Sequence, residues 1–314
     1  MSGSVLYDVP GPRAVLRNRV LGAVTILLVL AAIGFVLWRF AETGQFASAK
    51  WDLFTYTRVW QLIGEATLAT LAAFAAAAVG ALVLGFLLAI GRLSDHAWVR
   101  GPVAVIVEVL RAVPVLVFML LLYYGLPVVG IRLDNYWSVV IALIAYNGSV
   151  LSEVIRAGVE SLPRGQKEAG YAIGLRKSGV LRLILLPQAI RAMMPVIIAQ
   201  LVVTLKDTAL GFIITYPELL YIAKLLGSNA NFGSPLIQAA LIAGSIYVAM
   251  CLALSYVAYL TERRLSRSPR VVGLTRVDVA GHEITDTQLI ATQDAVASRR
   301  GAGRFDGTDP GTGV

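Results

Sequence analysis

Residues 158–188 read GVESLPRGQKEAGYAIGLRKSGVLRLILLPQ, and they lie between two apolar segments, 136–157 and 192–215. The whole connection, 158–191, is far longer than most connections in a compact domain. Connections longer than about 12–15 residues are usually either functional or disordered. This one is not of low complexity, so we expect a folded loop with a function of its own.

The loop has the signals of two short helices. Pro163 suits a helix start, residues 166–173 can form two turns, and Gly174 suits the end of that helix. Residues 180–186 form a second apolar and basic segment, which Pro187 is expected to interrupt. The pattern predicts a compact knob that is exposed for docking.

The rest of the chain is unusually apolar. Of its 314 residues 57% are hydrophobic and 15% are charged, whereas soluble domains have about 25% charged residues. About 20 apolar residues span a bilayer as a helix, because every backbone amide in hydrocarbon needs an internal partner. We therefore predict an all-α membrane protein with six transmembrane helices at 20–38, 62–90, 102–125, 136–157, 192–215 and 235–260.

Lys and Arg residues set the predicted orientation. Counting the N-terminal arm, the segments that connect the spans, the arginine near the end of the fourth span and residues 263–270, sixteen of them fall on the side of the 158–191 loop and five on the other side. Because basic loops stay in the cytoplasm, we expect a multi-pass protein of the cell (inner) membrane with both termini cytoplasmic. The termini are an arm, 1–19, and a largely disordered tail, 263–314, in which 284–298 could form a short helix.

The first span could instead belong to a signal peptide, since Ala47-Ser48-Ala49 mimics a cleavage site. The apolar stretch 20–38 is longer than a signal peptide requires, and the small residues come after Arg39 and Glu42. An uncleaved anchor fits this pattern better.

Several classes of function lack the residues they need. Cys251 is the sole cysteine, and His96 and His282 are far apart, so neither a metal cluster nor a catalytic constellation is expected. The net charge of +8 is spread between apolar segments, which argues against nucleic-acid binding. No Gly-x4-Gly-Lys-Ser/Thr motif occurs, so this chain should bind no ATP or other cofactor itself.

The 158–191 loop resembles the EAA loop of importer-type ABC transporter permeases. That family has Glu-Ala-Ala, three residues, Gly, nine residues and then Ile-x-Leu-Pro. The matching residues here are Glu168, Ala169, Gly170, Gly174, Ile184, Leu186 and Pro187. The departure is Gly170, which replaces the second alanine with another small residue.

Other segments extend the resemblance over 62–262, which makes 20–38 an addition to a five-helix core. Glu108-x-x-Arg111-x-x-Pro114 and Ser161-Leu-Pro-x-Gly-Gln166 are similar to family patterns. Leu186-Pro-Gln-Ala189 and Leu205-Lys-Asp-Thr-Ala-Leu210 are similar to the branch for polar amino acids, which includes glutamate-type permeases.

The resemblance implies a function and partners. It implies two such permeases, identical or paralogous, with a cytoplasmic ATPase under each that uses ATP. An extracytoplasmic solute-binding protein would deliver a small polar amino acid, with glutamate or glutamine favoured and a basic amino acid next. Glu168 would be the polar anchor of the helix that docks in the ATPase, and Gly174 would permit close approach.

Charged residues within spans are costly and usually mark a pathway or an internal pair. Lys206 could meet the carboxylate of an amino acid and Asp207 its ammonium group. The alternative is an internal salt bridge or contacts that stabilise the bundle.

Glu108 with Arg111 and Glu153 with Arg156 are spaced to pair on one helix face. A structural pair or an inner gate is the favoured interpretation, with substrate contact as the alternative. Glu153 is the better pathway candidate, because Asn147 and Ser149 lie near it in the same span. Asn147 could also simply bridge helices.

Three other functions remain open at this point. A secondary transporter driven by an ion gradient could use Asp207 and Glu153 as proton carriers, but six spans and an elaborate loop disfavour it. A membrane enzyme would need a catalytic constellation, for which this chain has few residues. A channel would conduct its solute without nucleotide.

Overall fold

The structure is a computed structural model that describes residues 11–265. The expectations for the tail, including the helix at 284–298, lie outside these residues. Within them the secondary structure is helical without strands, which confirms the predicted fold class. The α-helices are α1 (Pro12–Glu42), α2 (Thr57–Arg92), α3 (Ala97–Ala112), α4 (Val115–Leu120), α5 (Asn135–Glu160), α6 (Arg164–Ala172), α7 (Lys177–Gly179), α8 (Leu186–Asp207), α9 (Leu219–Gly227) and α10 (Leu236–Leu265).

Five continuous helical stretches are long and apolar enough to cross a membrane. They are Arg13–Glu42, Thr57–Arg92, Asn135–Glu160, Lys177–Ile214 and Leu236–Thr261, and each contains or largely overlaps one predicted span. Helix α2 has 36 residues, or roughly 54 Å at helical rise. It exceeds the roughly 30 Å of a hydrocarbon core, so it tilts or projects.

The predicted third span, 102–125, is not one straight helix. Helix α3 ends at Ala112, and the stretch Val115–Val129 leaves it at an angle of 95°. Pro114 causes the break, because proline lacks an N–H and clashes with the preceding helical turn. Val113 before it is extended, as residues before proline prefer. The predicted span therefore consists of two segments joined at a sharp bend.

Helices α2 and α5 form the centre of the bundle. Small residues recur at every fourth position of α2, at Ala73, Ala77, Ala81, Gly85 and Ala89, and all are buried. A Cβ atom at Gly85 would lie 2.9 Å from the Gly148 carbonyl oxygen of α5. The alanine-rich sequence of α2 thus allows close helix packing.

Helix α1 has none of its apolar window buried. The chain that follows it, however, returns to the bundle, where Leu53 and Phe54 pack in one cluster with α9 and α10. The buried Gln238 side chain of α10 also donates a hydrogen bond to the Gln45 carbonyl oxygen. The segment 43–56 therefore belongs to the core although α1 does not.

The 158–191 loop folds as a knob at one end of α5. Helix α6 is followed by α7 and by a π-helical stretch, Val180–Leu185, that continues into α8. Pro187 comes directly after the π-helical turns, whose wider spacing accommodates a residue without an N–H. The expected interruption at Pro187 is therefore wrong, because the helical stretch Lys177–Ile214 runs from the knob into the fifth span without a break.

Candidate functional site

The inner face of α6 packs tightly on the helix that leads into α8. Gly170 is buried, and a Cβ atom there would lie 2.8 Å from Val180 Cγ2 and 3.0 Å from Ile184 Cδ1. Beneath them, Leu186 and Ala189 join a buried cluster with residues of α2 and α5. The motif residues Gly170, Ile184 and Leu186 thus fix α6 to the bundle.

The outer face of α6 is open. Glu168 and Ala169 are exposed. The Glu168 carboxylate has no hydrogen-bond or ion-pair partner within residues 11–265. Ile173 at the end of the helix is 75% exposed, and Tyr171 is 40% exposed with Lys167 Nζ 6.0 Å from its ring centroid. This exposed face combines charged, aromatic and aliphatic groups, as a protein-docking surface does.

Gly174 ends α6 in the left-handed conformation, with φ of +83°. The Leu175 N–H donates to the Gly170 carbonyl oxygen at 3.1 Å, and the Gly174 N–H donates to the Tyr171 carbonyl oxygen at 2.9 Å. These bonds form a glycine helix cap. Apart from its two neighbours in sequence, no atom of residues 11–265 lies within 4 Å of a Cβ built at Gly174. Its backbone conformation, rather than close packing, therefore requires glycine.

A second contact holds the knob from the side. The Lys177 ammonium donates a hydrogen bond to Asp95, in the connection between α2 and α3. This hydrogen bond holds the pKa of the Asp95 carboxyl below its ordinary value.

Glu153 lies in an ion-pair network at the same end of the bundle. It binds Arg156 in the expected i,i+3 pair at 2.9 Å, and Arg92 of α2 at 3.0 Å. Arg156 also binds Glu160 at 2.5 Å. Glu153 is only 17% exposed, so these contacts tie α5 to α2 and leave it little freedom to meet a substrate.

Glu108 and Arg111 also form the expected pair, one turn before the bend at Pro114. Their charged atoms are 3.9 Å apart, and both side chains are exposed. An exposed pair of this length contributes little to stability.

Asn147 and Ser149 are buried inside the bundle. Asn147 accepts a hydrogen bond from Gln200 Nε2 of α8 at 2.8 Å and donates to the Leu143 carbonyl oxygen at 3.0 Å. Ser149 donates to the Tyr146 carbonyl oxygen. Asn147 therefore bridges α5 and α8, and neither side chain is placed beside Glu153 in an open pocket.

Lys206 and Asp207 lie at the end of α8, where the 3-10 segment Thr208–Ile214 begins. Within the described part of the chain they form no salt bridge with each other or with another residue. Lys206 is exposed and lines a cavity of about 510 Å³ between α8, α9 and α10, together with Leu220 and Tyr247. The geometry separates the two charges and leaves Lys206 facing open space.

The structure adds a buried carboxylate that the sequence reasoning missed. Glu218 is fully buried, accepts hydrogen bonds from the Leu220 and Tyr221 N–H groups, and accepts one from the Tyr247 hydroxyl, all at 2.7 Å. Burial raises the pKa of Glu218, and these donors oppose that shift. The available signal was an acid immediately before a short apolar run, which is typical of a helix start.

Comparison with known proteins identifies the family that has this architecture. Residues 81–267 match the family described as binding-protein-dependent transport system inner membrane component. The chain belongs to this family. The match includes the knob, Glu153 and Lys206, whereas α1 and the segment 43–56 precede it.

Two curated relatives of this inner membrane component are amino-acid permeases by name. The glutamate transport system permease protein GluD of Corynebacterium glutamicum is 37% identical over 227 residues, which cover 71% of this chain and 82% of that protein. The glutamine transport system permease protein GlnP of Escherichia coli is 31% identical over 189 residues, which cover 59% of this chain and 84% of GlnP.

A solved structure is similar in both fold and sequence. It is a crystal structure of an amino acid ABC transporter with histidines, with a TM-score of 0.61 and 28% identity. It covers 68% of this chain and 98% of that chain. The inner membrane component described here therefore has the fold of an ABC transporter permease, and its sequence identifies it as a transport protein.

Proposed function

We propose that this chain is the permease subunit of an ATP-driven importer for a polar amino acid. Glutamate or glutamine is the favoured substrate, in agreement with the names of the two relatives, and a basic amino acid is the next choice. The chain itself binds no ATP or other cofactor in this proposal, and the hydrolysis of ATP belongs to a partner.

The construction of the knob is the observation that carries the proposal. Helix α6 has an inner face locked by Gly170 on Val180 and Ile184, and an outer face that carries the unpaired Glu168. Because α6 packs on Val180 and Ile184 of the helical stretch Lys177–Ile214, a displacement of α6 would be transmitted to the helix that carries Lys206. Two sites can be coupled only through an element that both of them bias, and this helix reaches both.

The partners follow from the same arrangement. The ATPase would bind the outer face of α6 on the cytoplasmic side, which places both termini in the cytoplasm. A second permease, identical or paralogous, would complete the pathway, and an extracytoplasmic binding protein would deliver the amino acid.

The pathway would use the cavity beside Lys206. A lysine that faces open space in a membrane helix is costly unless water, protein or substrate covers it. An amino acid supplies a carboxylate for this ammonium group, and Asp207, one residue further on, is free of ion pairs to receive the substrate ammonium group.

Transport by the purified complex tests the proposal. We would reconstitute it in proteoliposomes with its ATPase and binding protein, and follow labelled glutamate, glutamine and arginine. We expect ATP-dependent accumulation of one of them that persists when an uncoupler removes ion gradients. Accumulation that needs a gradient and no ATP would contradict the proposal and favour a secondary transporter.

A further inference from the structure

A second cavity lies beside α9, apart from the one that contains Lys206. Its volume is about 460 Å³, within the range of small-molecule sites. Its walls come from the end of the Thr208–Ile214 segment and from one face of α9, and they include Phe212, Thr215, Tyr221, Lys224 and Ser228.

Among the residues that the structure describes, Lys224 is the only charged one in the lining of this cavity. Its ammonium nitrogen lies 5.3 Å from the ring centroid of Phe212. Across residues 11–265 it forms no salt bridge. A cation held on an aromatic face without an anion is available for a carboxylate, since a charge-assisted hydrogen bond is stronger than the contact it now makes.

Hydroxyl groups complete the cavity. The side chains of Thr215 and Tyr221 have no hydrogen-bond partner within the described chain, so both can donate to a ligand. Thr215 has left-handed backbone, with a φ of +59°, and its carbonyl oxygen is held by a hydrogen bond from Asn135 Nδ2 at 3.0 Å. Left-handed backbone at a residue other than glycine is costly and concentrates at functional sites.

Both lysine cavities are lined in part by α9, through different residues of that helix. Leu220 lines the Lys206 cavity and the next residue, Tyr221, lines the Lys224 cavity. The Thr208–Ile214 segment separates Lys206 from Thr215, and its seven residues span roughly 14 Å at the rise of a 3-10 helix. The Lys224 cavity lies on the side of this segment away from the knob, along the chain direction of α8.

We infer that the Lys224 cavity is a second carboxylate-binding site, in which an amino-acid substrate is held before it reaches Lys206. This inference rests on the proposed function. Lys224 would bind the substrate carboxylate, and the hydroxyls of Thr215 and Tyr221 would donate to its oxygens. An acidic side chain of the binding protein carries the same chemistry, but the substrate is the ligand proposed, because the pocket has the volume of a small-molecule site.

The test compares three variants of the full complex in lipid nanodiscs. Lys224→Gln removes the charge, Lys224→Arg keeps it, and Arg132→Gln removes an exposed charge from a loop that does not line the cavity. For each we would measure labelled substrate binding without the binding protein, the KM of uptake, and the affinity of the binding protein for the complex.

We expect Lys224→Gln to weaken substrate binding and to raise KM about tenfold, which corresponds to the loss of one charge-assisted hydrogen bond. Lys224→Arg and Arg132→Gln should stay near wild type, and the affinity of the binding protein should not change.

Two results would overturn the inference. Unchanged substrate binding and KM in Lys224→Gln would leave the cavity without a role in capture. A loss of binding-protein affinity with unchanged direct substrate binding would assign Lys224 to the partner's acidic side chain. Either result leaves the proposed function intact if the wild-type complex imports the amino acid. Failure of the Lys224 inference can therefore be distinguished from failure of the proposed function.

Discussion

Glu153 and Lys206 are both charged residues of long apolar helices, and at the scale of the residue their surroundings differ sharply. Glu153 lies between two arginines, whereas Lys206 has no acid partner within the described residues and lines a cavity. Charges in spans are retained when they are paired or when they serve a pathway. Glu153 meets the structural condition, and the surroundings of Lys206 agree with the pathway role proposed for it.

The unpaired charges give the first residue-scale prediction. Lys206→Gln and Asp207→Asn should each abolish uptake, because the substrate loses a charged partner within the pathway. The ATPase should still co-purify with both variants, since neither residue lies in the knob. Arg58→Gln, a change to an exposed residue of α2, is the control. Normal uptake by both variants would remove them from substrate handling.

The ion-pair network around Glu153 gives the second residue-scale prediction. Glu153→Gln should destabilise the purified protein by about 1.5–3 kcal/mol, because two arginines lose a charged hydrogen-bond or ion-pair partner. Glu108→Gln breaks an exposed ion pair and should lower the free energy of unfolding by about 0–1 kcal/mol. Thermal unfolding in detergent compares the two variants. Equal losses would show that the Arg92–Glu153–Arg156 contacts are no stronger than a surface pair.

At the scale of the element, the end of α6 depends on one backbone conformation. Gly174→Ala should destabilise the knob by roughly 1–2 kcal/mol, because a Cβ atom is unfavourable at positive φ. Gly165→Ala, inside α6, has open space around the new Cβ atom and should be neutral or stabilising by up to about 1 kcal/mol. Thermal unfolding measures both. If both variants shifted the unfolding temperature in the same direction, the role assigned to the φ of Gly174 would be contradicted.

The elements also show what the sequence could predict. The apolar segments predicted the membrane spans, because length and composition alone determine whether a helix can cross a membrane. The 95° bend at Pro114 could not be predicted, since proline specifies a break but tertiary packing sets its angle. Pro187 was interpreted as an interruption, although a proline that follows π-helical turns is compatible with a continuous helix.

The site was predictable where a local pattern identified it. The knob residues from Glu168 to Pro187 follow a motif, and the Glu153–Arg156 and Glu108–Arg111 pairs follow helical spacing. The Arg92 contact with Glu153 and the Tyr247 contact with Glu218 join residues far apart in the chain. No local signal specifies such contacts, so they had to come from the structure.

At the scale of the whole molecule, the described chain connects two distant surfaces through one helical element. Lys177–Ile214 runs without a break from the base of the knob to the wall of the cavities. The segment 43–56 packs with α9 and α10 at the opposite end. A force applied to α6 therefore reaches the end of the bundle where Lys206 and Lys224 lie.

The central claim is that α6 connects the permease to its ATPase, and charge reversal at Glu168 tests it most directly. Glu168→Lys places a cation on the exposed face of α6 without touching the packed face. Glu42→Lys, at an exposed acid of α1, is the matched control. The amount of ATPase that co-purifies with each variant, measured with uptake in proteoliposomes, is the deciding quantity. We predict that Glu168→Lys loses most of its ATPase or its ATP-driven uptake while Glu42→Lys keeps both. Full retention of ATPase and uptake by Glu168→Lys would contradict the claim.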